Sequence, residues 1–413
     1  MNVCLKYSKL RLPADSGRRL HCELKAAIRR GAFSGASLLI SRDWAPDFER
    51  EWGTVESGGV AVNRSTRFDL ASLTKPLVTA PLCIAAVERG LLNLDDTLSR
   101  FFPGSVPSDK EGITVRSLLS HSSGLPAYQP FYLELIKLPP KARPNALASM
   151  ILQTALDTAP GKTANYSDLG FMLLGLILER QMGGRLDRLA QDFLFAPLGI
   201  DELHFCPIDE RKTENGSLKT HVGEGTSVLR PPSSVLRPPS SVLRPPSSDL
   251  RYAATQLCPW RKRLLFGEVD DENAWTLNGV SGHAGLFGTA RAVFKLLCFL
   301  WNIYEGNLTD PLWPRDLVRL FWTRTEVAEG LSGWCLGYDT PSRKGYSSAG
   351  RYFSSNTIGH LGFTGVSFWL DLEKRVLVIL LTNRVHPTRQ NDEIRQLRPV
   401  LHDIIMESLT YGN

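Results

Sequence analysis

Ser72 and Lys75 stand three residues apart in Ala71-Ser72-Leu73-Thr74-Lys75-Pro76, at the head of an apolar helical pattern that runs to Gly90. On a helix that spacing puts both side chains on one face. A serine hydroxyl is a weak nucleophile near neutral pH, and a neighbouring amine can take its proton or support another group that does. No other lysine in the sequence follows a serine by three. Pro76 lacks an N–H and so belongs in the first helical turn, which sets Ser72 at the helix start, where the amino end adds partial positive charge. The pattern alone is loose, so its meaning depends on partners elsewhere in the chain.

Two further stretches offer such partners. Asn165-Tyr166-Ser167-Asp168 stands directly before the apolar helical run 169–181. Ser167 or Asp168 could be a plain N-cap there. Only one other tyrosine, Tyr411, has Asn or Asp two places on, and it sits at the chain end. His360-Leu361-Gly362 opens a Gly-rich turn between strand-like runs. His283, in Gly279-Val280-Ser281-Gly282-His283-Ala284-Gly285, is expected to organise backbone by hydrogen bonding rather than to react.

These stretches need a scaffold. The 413 residues, 43% hydrophobic and 22% charged, are enough for one sizeable enzyme domain or two interleaved subdomains. The net charge of +6 is spread along the chain, with no Lys/Arg-rich run that would serve as a nucleic-acid footprint. Seven scattered cysteines without C-x-x-C spacing fit reduced thiols. Residues 1–20 lack the apolar core of a signal peptide, and runs such as 171–178 and 376–381 are too short to span a bilayer. A cytoplasmic protein without membrane or nucleic-acid partners is the expectation, and no cofactor or metal is implied.

In chain order, the patterns predict a short helix at 23–30, a buried strand at 35–41 and a second strand at about 59–62 completing a hairpin. The Ser72 helix follows, then a short helix at 115–119, a helical region from about 139 to 199, and a helix at 290–304. Strands are expected at 334–338, 366–370 and 375–382, and a closing helix at about 391–409. Residues 209–250 are polar and Pro/Ser-rich and carry Ser-Val-Leu-Arg-Pro-Pro-Ser three times between 227 and 247; Pro-Pro in each copy forbids helix and predicts a flexible loop. Strands at both ends with helices between predict an α/β fold of the α+β sandwich kind. In it, an antiparallel sheet is built from both chain termini and flanked by helices, with an inserted, mostly helical subdomain. We place the α/β subdomain at about 15–80 and 325–413 and the insertion at about 81–324, within one domain spanning 1–413.

Taken together, Ser72-x-x-Lys75, Tyr166-Ser167-Asp168 and His360-Leu361-Gly362, in this order, resemble the three motifs of the serine β-lactamase and penicillin-binding-protein superfamily. The stretches 118–125, 195–199, 282–287 and 381–384 look like its class C-like branch, which includes family VIII carboxylesterases, D-aminopeptidases and D-Ala-D-Ala carboxypeptidases. The resemblance covers about residues 30–390. It implies that Ser72 is acylated, that Tyr166 takes and returns the Ser72 proton with Lys75 supporting its phenolate, and that Lys75 could itself be the base. It also implies an oxyanion hole made of the main-chain N–H groups of Ser72 and Phe363, each donor worth about 2.7–4 kcal/mol in the transition state. Asp168, His360 and Gly362 would support or bind substrate.

Two departures bear on the substrate. His360 stands where the family often has a lysine for a substrate carboxylate, and Asp168 where asparagine is common. A neutral imidazole offers less charge, and an ionised carboxylate accepts but cannot donate. Both favour a carboxylesterase acting on small acyl esters. The alternatives are a D-aminopeptidase, a D-Ala-D-Ala carboxypeptidase or a weak β-lactamase, and last a catalytically silent binding protein. No Gly-x-Ser-x-Gly elbow is present, which argues against the ordinary α/β-hydrolase route to esterase activity. The expected partner is a small-molecule ester or amide; oligomeric state is not legible.

Overall fold

A run of alternating apolar residues buried on both sides explains the central element. In the computed structural model, which describes residues 12–208, 251–342 and 344–411, β1 (Gly35–Arg42) is paired on both edges. Its partners are β2 (Ala45–Gly53) and, from the other end of the chain, β8 (Val376–Thr382). The sheet is completed by β6 (Thr357–Leu361) and β7 (Ser367–Asp371) in the order β6-β7-β8-β1-β2, every pair antiparallel. Alternate residues point to opposite faces. Leu38, Ile40, Val378 and Leu380 pack under α1 (Ala14–Arg30) and α5 (Ile394–Tyr411). Leu39, Leu377, Ile379 and Leu381 enter the larger core shared with the helices of the chain's middle. With both faces covered, these strands show as largely apolar runs of small and aliphatic residues, which made them legible.

The middle of the chain is largely helical: α2 (Ala80–Glu88), α3 (Asp168–Met182) and α4 (Ala290–Glu305) are its main members. A small antiparallel sheet, β3 (Phe68–Asp69), β5 (Leu286–Gly288) and β4 (Leu203–Phe205) in that spatial order, ties the segment before Ser72 to the Gly-rich loop. The fold class thus agrees with expectation: an antiparallel sheet from both termini, flanked by helices. The repeat loop at 209–250 lies outside the described residues.

Several element boundaries are corrected. The hairpin partner of β1 is 45–53, not 59–62; only Ala61 contributes an isolated bridge, to Thr54. β2 is an edge strand, and its Pro46, Glu49, Arg50 and Glu51 are residues an edge tolerates and a strand pattern does not advertise. The 334–338 strand is replaced by bridges from Asp339 to Trp334 and Gly359. The first helix begins nine residues earlier than 23, at Ala14, because its early turns are charged on their outer face. The Ser72 helix is not one α-helix. Ala71–Leu73 is a 3₁₀ turn, Lys75–Thr79 a π segment, and α-helix begins at Ala80. Pro76 and Pro81 lack N–H donors, and the Ala80 N–H closes on the Lys75 carbonyl five residues back.

Candidate active site

The joint between two helical segments decides the first contact. Ser72 lies in the 3₁₀ turn and Lys75 opens the π segment that follows, and the Lys75 ammonium reaches Ser72 Oγ at 3.0 Å. Lys75 is fully buried on the cleft floor, while Ser72, Tyr166 and Asp168 above it are half-buried. Its Nζ also donates to Tyr166 OH at 2.7 Å, to Asp168 Oδ1 at 2.7 Å and to the His283 carbonyl at 3.1 Å. Tyr166 OH lies 2.7 Å from Ser72 Oγ and donates to Asp168 Oδ1 at 2.8 Å. Four polar groups from two distant segments therefore form one closed hydrogen-bonded cluster.

Tyr166 reaches this place because the extended residue Ser167 is the N-cap of α3, accepting the Gly170 N–H, which sets Tyr166 immediately ahead of the helix entrance. His121 supports it from behind. Its ring lies 4.8 Å from the Tyr166 ring and 4.4 Å from Trp334, and its Nδ1 accepts the Ser167 N–H at 3.1 Å. Burial, then the nearby Lys75 and His360, push the His121 imidazole well below its ordinary range, so it is neutral with the proton on Nε2.

The electrostatics bear on the resting charges. Burial raises the Tyr166 phenol well above its usual value, and the Asp168 carboxylate raises it further; only the Ser72 hydrogen bond works the other way. Tyr166 therefore rests as a neutral phenol, not as a phenolate supported by Lys75. Burial also lowers the Lys75 ammonium, with Asp168 opposing.

The third motif closes the other wall. Gly362, just past β6, packs so tightly that a Cβ there would sit 2.8 Å from the Leu70 carbonyl and 3.4 Å from the Ala71 Cβ. The Thr364 hydroxyl donates to the Asp69 carbonyl at 2.6 Å, and Asp69 Oδ1 accepts the Ala71 N–H at 2.8 Å. Turn 362–366 is thus anchored to the residues just before Ser72, and Ala71 itself is held at φ 46°, a left-handed conformation that costs about 1–3 kcal/mol. Phe363 is half exposed at the cleft rim.

His360 is buried, 6.1 Å from the Tyr166 ring and 5.9 Å from Trp334. Its Nδ1 donates to the Leu361 carbonyl at 2.7 Å, leaving Nε2 as a buried acceptor with no partner among the described residues. Burial, then Lys75, push it down to about 3. An imidazole that ionises near 6.5 in the unfolded chain but near 3 when folded binds its proton first in the unfolded chain, so acid favours unfolding. Compared with His360→Gln, the wild type is expected to lose roughly 2–3 kcal/mol between pH 6.5 and 4.5. Urea unfolding of both proteins at the two pH values measures this difference, and parallel curves would refute it.

His283 organises the Gly-rich loop as expected, but the sequence did not reveal three contributors: Asp271, Trp334 and Arg398. Asp271 pairs with His283 at 2.9 Å, with Ser281 on the other ring nitrogen at 2.9 Å, and this fixes the loop whose carbonyl holds Lys75. Burial raises the Asp271 carboxyl, but His283 and the Ala274 N–H outweigh it and bring it down to about 2. Trp334 and Arg398 had no local signal at all, since neither sits in a motif.

A nucleophile-bearing turn with its lysine, a tyrosine at a helix entrance and a Gly-containing turn after the edge strand β6 define a serine-dependent hydrolase on an antiparallel sheet. A sequence model described as Beta-lactamase matches residues 23–401, and the chain belongs to that family. It is a serine hydrolase of the β-lactamase and penicillin-binding-protein superfamily. A protein of Escherichia coli (strain K12) named "Putative D-alanyl-D-alanine carboxypeptidase" is 28% identical over 382 residues, covering 86% of this chain and 79% of the relative. Two solved structures share the fold. EstCE1, titled a hydrolase with promiscuous acyltransferase activity, gives a TM-score of 0.66 at 20% identity, covering 95% of this chain and 99% of that one. Simvastatin synthase (LovD) from Aspergillus terreus gives 0.66 at 18%, covering 97% and 100%. Among the described residues no helix is long and apolar enough to cross a membrane, and Cys22, Cys83, Cys258, Cys298 and Cys335 are free thiols.

Proposed function

We propose that this enzyme is a carboxylesterase that cleaves small acyl esters through a Ser72 acyl-enzyme. The supporting observation is the single hydrogen-bonded cluster of Ser72, Lys75, Tyr166 and Asp168 beside an uncharged His360. Ser72 Oγ attacks the acyl carbon, and its proton passes to the Tyr166 oxygen as the phenol proton moves to Asp168. Because Tyr166 rests neutral, this two-step handover replaces a standing phenolate. Lys75 holds all three oxygens in place. Negative charge on the former carbonyl oxygen is received by the N–H groups of Ser72 and Phe363, with Gly362 allowing the close approach. The carbon–oxygen bond to the alcohol then breaks, and the alkoxide leaves with a proton returned through Tyr166. Water attacks the acyl carbon by the same route, releasing the acid and restoring Ser72.

An ester needs no carboxylate receptor at the third motif, and neutral His360 supplies none. A D-Ala-D-Ala carboxypeptidase is the second reading, supported by the name of the Escherichia coli relative. A panel on purified protein separates them: turnover of p-nitrophenyl butyrate without nitrocefin cleavage or D-alanine release is expected. Release of D-alanine from a D-Ala-D-Ala peptide as the faster reaction would overturn the esterase reading.

A further inference from the structure

Turn 362–366 rests on two arginines that have no carboxylate within 4 Å among the described residues. Arg398, on α5 and only 5% exposed, donates from Nη2 to the Val366 carbonyl at 2.9 Å and to the Gly362 carbonyl at 3.4 Å. Its Nε has no partner among the described residues. Arg384, just after β8, donates from Nε to the Phe363 carbonyl at 2.6 Å and from Nη1 to the Asn391 carbonyl at 2.7 Å. Its guanidinium lies 4.4 Å from the centre of the Phe363 ring. Arg389, nearby, is different: Asp270 and Glu272 both pair with it.

Burying a guanidinium without a carboxylate is costly, and a second cation beside it adds repulsion. Pinning the turn does not require that charge. The turn is already closed by the Gly362 N–H on the Val366 carbonyl (2.7 Å) and the Gly365 N–H on the Gly362 carbonyl (3.0 Å). The position of the charge is informative. The Gly362 oxygen and the Phe363 N–H belong to the same peptide group, so a cation on that oxygen draws density from the nitrogen and strengthens the N–H as a donor.

We infer that Arg398, assisted by Arg384, is a positioning residue of the oxyanion hole: it polarises the Gly362–Phe363 peptide and supplies a fixed positive field where charge develops on the substrate oxygen. This rests on the acyl-enzyme reading above. Burial brings the Arg398 guanidinium down to about 10, so it stays charged at neutral pH. No bond to Arg398 forms or breaks. The effect appears only as the carbonyl oxygen turns anionic, so it belongs to kcat and not to ground-state binding.

The test compares wild type with Arg398→Met, Arg398→Lys and Arg384→Met in three assays. These are the rate of fluorophosphonate labelling, inhibition by phenylboronic acid, and p-nitrophenyl butyrate kinetics, with thermal melting as the folding control. Arg398→Met is expected to slow labelling and kcat by roughly 10–100-fold and weaken the boronate equally, with KM changing less than about threefold. Arg398→Lys, which keeps the charge, is expected within about fivefold of wild type, and Arg384→Met between the two. A folded Arg398→Met labelled as fast as wild type overturns the inference. So does a folded Arg398→Lys that falls as far as Met, which would mark turn-pinning alone; if the Met protein does not fold, a loss of about 100-fold in folded Lys decides against it. Failure of wild type itself to label at Ser72 would instead remove the acyl-enzyme reading.

Discussion

Ser72→Ala is expected to abolish fluorophosphonate labelling and to cut ester turnover by roughly 10⁴–10⁶-fold, leaving only binding and oxyanion stabilisation. The change removes one half-buried oxygen whose neighbours remain hydrogen-bonded to each other: Lys75 keeps Asp168, Tyr166 and the His283 carbonyl, and Tyr166 keeps Asp168. The fold should therefore survive, and the melting temperature should move by only a few degrees, since a surface-accessible hydroxyl contributes about 1 kcal/mol. Mass spectrometry of the labelled protein checks the site directly. A probe adduct that persists on the alanine variant would place the nucleophile elsewhere.

Asp168→Asn has the second largest expected effect and a more specific signature. If the Ser72 proton reaches Asp168 through Tyr166, an amide cannot accept it, and kcat should fall by roughly 10²–10⁴-fold at pH 7. The same change strips fully buried Lys75 of its only carboxylate contact among the described residues. An uncompensated buried ammonium costs about 3–5 kcal/mol, a cost the lysine can relieve by shedding its proton. The sign follows: burial already lowers the Lys75 pKa, Asp168 opposes it, and deleting Asp168 lowers it further. Residual activity should then climb with pH as neutral Lys75 takes over as base, and the stability deficit should shrink from pH 7 to pH 9. Stopped-flow turnover and urea unfolding across that range measure both trends. A flat pH profile with kcat within about tenfold of wild type would leave Asp168 as a structural counter-ion and return the proton to another acceptor.

Much of the architecture was legible because the sheet is buried on both faces. Runs such as 35–41 and 376–382 are mostly apolar stretches, and they lie at opposite ends of the chain, which already implied a sheet closed from both termini. The edge strand 45–53 was missed for the converse reason: one side meets solvent, so charge and proline hide its pairing. The broken helix at Lys75–Thr79 follows from two prolines whose combined effect is set by packing, not by local preference.

The sequence by itself determined which residue types could react and in what order they occur: Ser72 with Lys75, Tyr166 with Asp168, and His360 before Gly362. Local spacing carries that information because a serine and lysine three apart share a face on any helical turn. Only the tertiary structure decided the charge states and the supporting cations. Burial keeps Tyr166 and His360 neutral. Likewise, the packing of α5 under the sheet sets Arg398 beneath the Gly362–Phe363 peptide, and the His283 carbonyl meets Lys75 across 208 residues of chain. Desolvation and long-range approach depend on what surrounds a group in space, and no local pattern encodes that.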